Sequence, residues 1–204
     1  MAVITISRQY GAGGRTLGRM VAQKLGYTFA DSEIIERLAR EARVSPQWVE
    51  SFEKEAGTRL SRFISSMVAK KWVDRVLKEE RGYLDEQSYL DYLVLIIAQV
   101  ADEGNVVILG RGSQYILDDH PDAYHVLLVD RVANRIKFLM DRQGHSEAKA
   151  AALVESEDRR RALLYGRLGK SDFDAPLLYH LVIHMGRLGL DRACDLVCRL
   201  VGEC

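Results

Sequence analysis

Apolar and polar positions along this chain alternate between short unbroken apolar runs and stripes at helical spacing. Val3-Ile4-Thr5-Ile6 is a β-branched run that predicts a buried strand. Leu17, Val21, Ala22 and Leu25 then recur at helical spacing and stop at Gly26, which predicts a helix closed by glycine. Residues 27–30 predict a second short strand. No strand pattern follows until residue 104. Instead Asp31 or Ser32 caps a helix with Ile34, Ile35, Leu38 and Ala39 on its inner face. Ser45-Pro46 starts further helix reaching to about Lys78, with Pro46 in its first turn. After a break at residues 79–82, Tyr89, Leu90, Leu93, Ile96, Ile97 and Val100 mark the inner face of a long helix. Residues 105–110 and 124–129 are predominantly apolar runs that read as strands, the first as a buried parallel strand. A helix follows with Ile136, Leu139 and Met140 inward. Residues 148–168 form another, residues 179–184 the last strand, and residues 190–201 the last helix. Strands alternating with helices predict an α/β fold with a five-stranded parallel sheet.

The 204 residues suffice for one such domain with a helical insertion. Lysine plus arginine number 29, as do aspartate plus glutamate, so net charge is zero. That argues against a general nucleic-acid or membrane-surface binder and leaves room for a local basic pocket. No apolar run approaches 18 residues and the chain opens directly on a strand, so neither a transmembrane helix nor a signal peptide is expected. Cys194, Cys198 and Cys204 are an odd, clustered set, which suggests reduced thiols in a cytoplasmic protein. Cys194 and Cys198, one turn apart with no histidine nearby, read as core-facing fillers.

Between the first strand and first helix stands Arg8-Gln9-Tyr10-Gly11-Ala12-Gly13-Gly14-Arg15-Thr16. Strand, glycine loop and helix N-terminus is the arrangement in which backbone N–H groups converge on an anion. Against the pattern G-x-x-x-x-G-K-[ST], the second glycine is Gly13. The first glycine falls on Arg8, the lysine on Gly14 and the hydroxyl residue on Arg15, with Thr16 one later. Arg15 either clamps a phosphate with its planar fork or turns to solvent. Gly110-Arg111-Gly112-Ser113 follows a strand, where open parallel sheets bind ligands. Arg111 either forks onto phosphate or pairs with a carboxylate. Asp158-Arg159-Arg160-Arg161 is by itself a solvated charged face, and Arg37 by itself an ion-pair partner on its helix. His184, at a strand end, reads as structural.

This order of elements resembles a nucleoside monophosphate kinase, and within that group the cytidylate kinase-like family. The resemblance rests on residues 7–15, on Phe29-Ala30-Asp31-Ser32-Glu33 with Arg37, on Gly110-Arg111, and on residues 158–161. It implies a P-loop kinase-like three-layer fold over residues 1–204, with a helical acceptor-side insertion at 32–103 and a lid at 145–175. It also implies transfer of the γ-phosphoryl of ATP, with Mg²⁺, to CMP or dCMP, with no nucleic-acid or membrane partner. Gly11, Ala12, Gly13, Gly14, Arg15 and Thr16 would surround the ATP phosphates. Arg15 would replace the lysine, and Thr16 would offer the nearest hydroxyl to the metal. Asp31, Arg37, Arg111 and Ser113 would face the acceptor. Arg15, Arg159 and Arg161 would neutralise the transferring group. The chain departs from that family at Leu109, where an aspartate is usual, at Gly112-Ser113, where an acidic residue is usual, and at Glu33, where a glycine is usual. Two alternatives are a nucleotide-binding module without turnover and a kinase with another small acceptor. The lid arginines favour an enzyme, since charge aimed at a transition state serves a binder little.

Overall fold

The computed structural model describes residues 1–31 and 86–202, apart from the side chains of residues 86–89, 91 and 92. Arg37, the helices expected between Ser32 and Lys78, the Tyr89 side chain and Cys204 therefore lie outside the described residues. The chain divides into two compact units, Met1–Ser32 with Gly104–Cys204, and Glu33–Glu103.

The first unit holds strands β1 (Val3–Arg8), β2 (Thr28–Ala30), β3 (Val106–Leu109), β4 (Ala123–Val129) and β5 (Leu181–His184). They form one parallel sheet in the order β2-β3-β1-β4-β5. β1 lies centrally, with Ile6 opposite both Leu109 and Val126. Strands covered on both faces favour apolar residues at nearly every position, which is why these runs show little alternation, and the polar Thr5, Ser7 and His125 within them are paired. The last strand begins at Leu181 rather than at Tyr179. Pro176–Leu178 forms a 3₁₀ turn, and the His180 ring Nδ1 accepts the His125 N–H at 3.0 Å, a place a ladder carbonyl would otherwise fill.

Helices of this unit are α1 (Gly14–Leu25), α3 (Ser113–Ile116), α4 (Val132–Gln143), α5 (Glu147–Arg167) and α6 (Met185–Leu200), the last interrupted at Gly189. Gly26 closes α1 in the left-handed region, and the Ser146 hydroxyl caps α5 by accepting the Lys149 N–H. One sheet face packs Ile4, Ile6, Val107, Leu109, Val126 and Leu128 against Leu17 and Val21 of α1 and Val197 of α6. Cys194 and Cys198 are buried in the same cluster. At about 1.5–3 kcal/mol per buried large aliphatic side chain, this face contributes substantially to stability. On the other face Ser7 Oγ lies 3.2 Å from the Tyr165 hydroxyl of α5, so helices cover both sides of the sheet. In the second unit, α2 (Glu86–Asp102) has buried residues nearly all round, including Leu90, Leu93, Leu95 and Ile97. No helix among the described residues is long and apolar enough to cross a membrane.

His125 is buried in the sheet, with Thr5 Oγ1 at 2.7 Å from its Nδ1. Burial first, and then the neighbouring His180, push its pKa down to about 4. A histidine with a depressed folded pKa stabilises fully above its unfolded value of about 6.5 and loses that contribution as pH falls toward 4. We expect chemical denaturation at pH 4.5 to show the wild type losing roughly 2–3 kcal/mol more than His125→Asn, relative to pH 7.5. Equal acid sensitivity of the two proteins would refute this.

Candidate active site

The glycine loop leaves β1 at Arg8 and enters α1 at Gly14. It turns through an Ala12 N–H to Gln9 carbonyl bond of 3.1 Å, with Ala12 buried. Gly11 and Gly13 have φ of 82° and 83°, where an L side chain is strained. A Cβ on Gly11 would also lie 2.8 Å from the Arg135 carbonyl oxygen, so both backbone and space demand glycine there. Gly13 precedes α1 without any side-chain cap. The first-turn N–H groups of Gly14 and Thr16 thus meet no side-chain cap from Gly13 and point out at the positive end of the helix. Thr16 is the third residue of α1 and half-buried.

Arg15 leans toward the carboxyl end of β2, where its Nη2 lies 3.3 Å from Asp31 Oδ2. Its side chain is 44% exposed, so this pair orients more than it stabilises, contributing well under about 1 kcal/mol. The pair joins a residue expected on the donor side to one expected on the acceptor side.

After β3, Gly110, Arg111 and Gly112 stand consecutively in the left-handed region, with φ of 73°, 61° and 73°. For Arg111, which carries a Cβ, that conformation costs roughly 1–2 kcal/mol. It is held by a Gly110 N–H to Ile6 carbonyl bond of 2.9 Å and a Ser113 N–H to Gly110 carbonyl bond of 3.2 Å. Strain of this kind concentrates at ligand sites. Ser113 is 1% exposed, and its hydroxyl has no hydrogen-bond partner among the described residues.

The arginine run on α5 divides by helical phase. Arg159 and Arg160 are exposed and pair within their own helix, with Glu155 at 2.9 Å and Glu157 at 3.3 Å. Arg161 turns inward at 11% exposure. Both its terminal nitrogens donate to Asp174, at 2.9 and 2.8 Å, and its guanidinium lies 4.9 Å over the Phe173 ring. Phe173 in turn stacks on Tyr165 at 4.7 Å. The lid expectation thus separates into an inward, pre-positioned Arg161 and a solvent-facing Arg159.

Several positions that hold the glycine loop were not evident from sequence. Asp158 accepts the Tyr10 N–H at 2.9 Å and pairs with Arg135 Nη1 at 2.6 Å. Arg135 Nη1 also donates to the Tyr10 carbonyl at 3.1 Å. The expected inner face of α4 is corrected here. Met140 is 37% exposed, whereas Arg135 is 5% exposed because it braces the loop. Arg135 precedes the buried Leu139 by four residues, and that spacing was the available signal. Gln9 accepts the Asp130 N–H at 3.1 Å and donates to Asp174 at 3.4 Å, linking the loop to the residue that holds Arg161. His184 Nδ1 lies 3.6 Å from Asp130 Oδ1, beside the strand ends. Arg8 runs beneath Gly14 and ends against Gly110: a Cβ on Gly14 would lie 2.9 Å from Arg8 Cγ, and one on Gly110 would collide with Arg8 Nη1.

A family model described as the cytidylate kinase-like family matches residues 3–187. No curated protein matches the chain. An uncharacterised protein from Eubacterium ventriosum superposes with a TM-score of 0.71 at 18% identity, with 98% of each chain covered. A shikimate kinase from Bacteroides thetaiotaomicron gives 0.51 at 15% identity, again with 98% of each chain covered. A gluconokinase from Sinorhizobium meliloti gives 0.50 at 13% identity, covering 98% of this chain and 94% of that one. These likenesses carry the fold, a five-stranded parallel sheet of the P-loop kinase kind.

Proposed function

The chain belongs to the cytidylate kinase-like family, and on that premise we propose that it is a phosphotransferase moving the γ-phosphoryl of ATP to a nucleoside monophosphate, with CMP or dCMP the leading acceptor. One observation carries the reading. A glycine loop with an uncapped helix N-terminus, a strained Gly-Arg-Gly turn and an inward arginine of α5 all gather about the carboxyl ends of β1 and β3. Phosphoryl transfer asks the protein for positioning and positive charge, and these elements supply both.

In this reading the N–H groups of Gly11 and of Gly13 through Thr16 hold the donor phosphates, while Ala12, whose N–H goes to the Gln9 carbonyl, shapes the loop beside them. Arg161, fixed by Asp174, needs no reorganisation to meet developing charge. Arg111, Asp31, Ser113 and Arg37 serve the acceptor, and Arg159 is a second lid cation. Arg15 replaces a lysine only by leaving its pair with Asp31. Mg²⁺, bound chiefly by the nucleotide phosphates, would neutralise charge on the transferring group. The Thr16 hydroxyl is the donor this chain offers it in the first turn of α1.

The test is ADP release from Mg-ATP with purified protein across the nucleoside monophosphates. Shikimate and gluconate belong in the panel because a shikimate kinase and a gluconokinase share the fold. A blank without acceptor completes it. ADP formed with CMP or dCMP alone is the expected result. ADP formed with shikimate or gluconate keeps the chemistry and replaces the acceptor. No ADP with any acceptor, while ATP still raises the melting temperature, rejects the enzyme in favour of a nucleotide-binding module.

A further inference from the structure

Arg8 carries a charge that the protein itself does not neutralise. It is mostly buried, yet among the described residues no ion pair or hydrogen bond involves its side chain. Its surroundings are positive. Arg111 and Arg161 both act on it, and the opposing influences are Tyr165 and Glu157. Neither is at its disposal: the Tyr165 hydroxyl lies 3.2 Å from Ser7 Oγ, and Glu157 pairs with Arg160 at 3.3 Å. Asp174 is committed to Arg161 through two hydrogen bonds. Burial, ahead of the neighbouring charges, disfavours the protonated guanidinium. A cation so largely enclosed, with no protein partner among the described residues, is placed to meet an anion from outside.

The sequence around Arg8 is arranged to admit it. Against the usual phosphate-loop pattern, Arg8 stands at the first glycine and Gly14 at the lysine. The two have in effect exchanged places, so the cation rises from the strand rather than from the helix. Gly14 leaves space for the Arg8 stem and Gly110 leaves space for its head; a Cβ at either would meet the side chain. Above the stem lies the uncapped first turn of α1.

We propose that Arg8 is the phosphate-binding cation of this loop, and that with Arg111 and Arg161 it forms a three-guanidinium pocket for a multiply charged phosphate group. Planar guanidinium forks beside free backbone N–H groups match the several oxygens of a phosphate better than a single carboxylate does. As an anion site this stands on geometry; as part of phosphoryl transfer it rests on the phosphotransferase reading.

The experiment compares wild type, Arg8→Gln and Arg8→Lys with inorganic pyrophosphate in metal-free buffer, by thermal unfolding and isothermal titration. Without ligand, Arg8→Gln should melt about 2–4 °C above wild type, because an uncompensated charge is removed. It should bind pyrophosphate about 10- to 100-fold more weakly, and Arg8→Lys should fall between the two. A merely structural arginine predicts the opposite sign in the ligand-free protein. A lower melting temperature or failure to fold for Arg8→Gln overturns the proposal. So does equal pyrophosphate affinity in wild type and Arg8→Lys or Arg8→Gln, or no binding by wild type. Pyrophosphate bound through Arg8 by a protein that forms no ADP would uphold the site and reject the phosphotransferase. ADP formation with pyrophosphate affinity indifferent to position 8 would do the reverse.

Discussion

Replacing Arg161 by alanine is expected to lower turnover about 10³-fold while the KM for ATP changes by no more than about three-fold. The split follows from where the side chain is held. Asp174 fixes both terminal nitrogens, and Phe173 and Tyr165 support the guanidinium plane at 4.9 and 5.9 Å. The charge is therefore in place before the reaction begins, which is the condition under which it acts on the transition state more than on the bound donor. Asp174→Asn should give a smaller loss, because the guanidinium remains but its orientation does not. Steady-state kinetics with the acceptor that the ADP panel identifies will check both variants. An Arg161→Ala enzyme with unchanged kcat and a raised KM would show that this arginine binds ground-state phosphate only.

Asp158→Ala is expected to lower the melting temperature by about 6–12 °C. The Arg135 side chain is 6% exposed, and Asp158, at 2.6 Å, is its ion-pair partner among the described residues. Removing one member of such a pair leaves a buried charge uncompensated, which costs about 3–5 kcal/mol. Asp158 itself is 30% exposed, so solvent relaxation places the loss at the lower end, about 3 kcal/mol. The same change frees the Tyr10 N–H, so the loop loses its attachment to α5 and ATP binding should weaken with it. The double variant Asp158→Ala with Arg135→Met should recover most of the stability, because the stranded charge is gone. Additive losses in that double-mutant cycle would mean that the two residues do not act as a pair.

The fold was legible where local pattern and tertiary environment ask for the same residues. Val3 to Ile6 and the runs after residues 105 and 123 are almost wholly apolar because they lie inside a parallel sheet, and the two polar residues among them, Thr5 and His125, meet each other there. The glycine loop was legible because left-handed backbone leaves its mark on sequence directly, at Gly11 and Gly13. What escaped reading depends on partners far along the chain. Asp158 looks like the start of a charged surface run until it meets Tyr10, 148 residues away. Gln9 is unremarkable until β4 brings the Asp130 N–H to it, across 121 residues. Arg8 resembled a missing glycine, and only the void at Gly110 shows what its length is for. The division of Arg159 from Arg161 was within reach. Residues two apart on a helix point to nearly opposite sides, so a run of arginines cannot all face one ligand.

The central place of β1 has a consequence for how the chain is made. Its hydrogen-bonding partners are β3 and β4, and the Thr5–His125 contact alone spans 120 residues. A ribosome adding about 5–20 residues per second leaves Val3 to Ile6 without their β4 neighbours for roughly 6–24 s. Contacts of such separation also slow the search for the native arrangement. The strand that seats the glycine loop is thus made early and paired late. For that interval it is an apolar segment with open edges, the kind of sequence a chaperone holds until its neighbours exist.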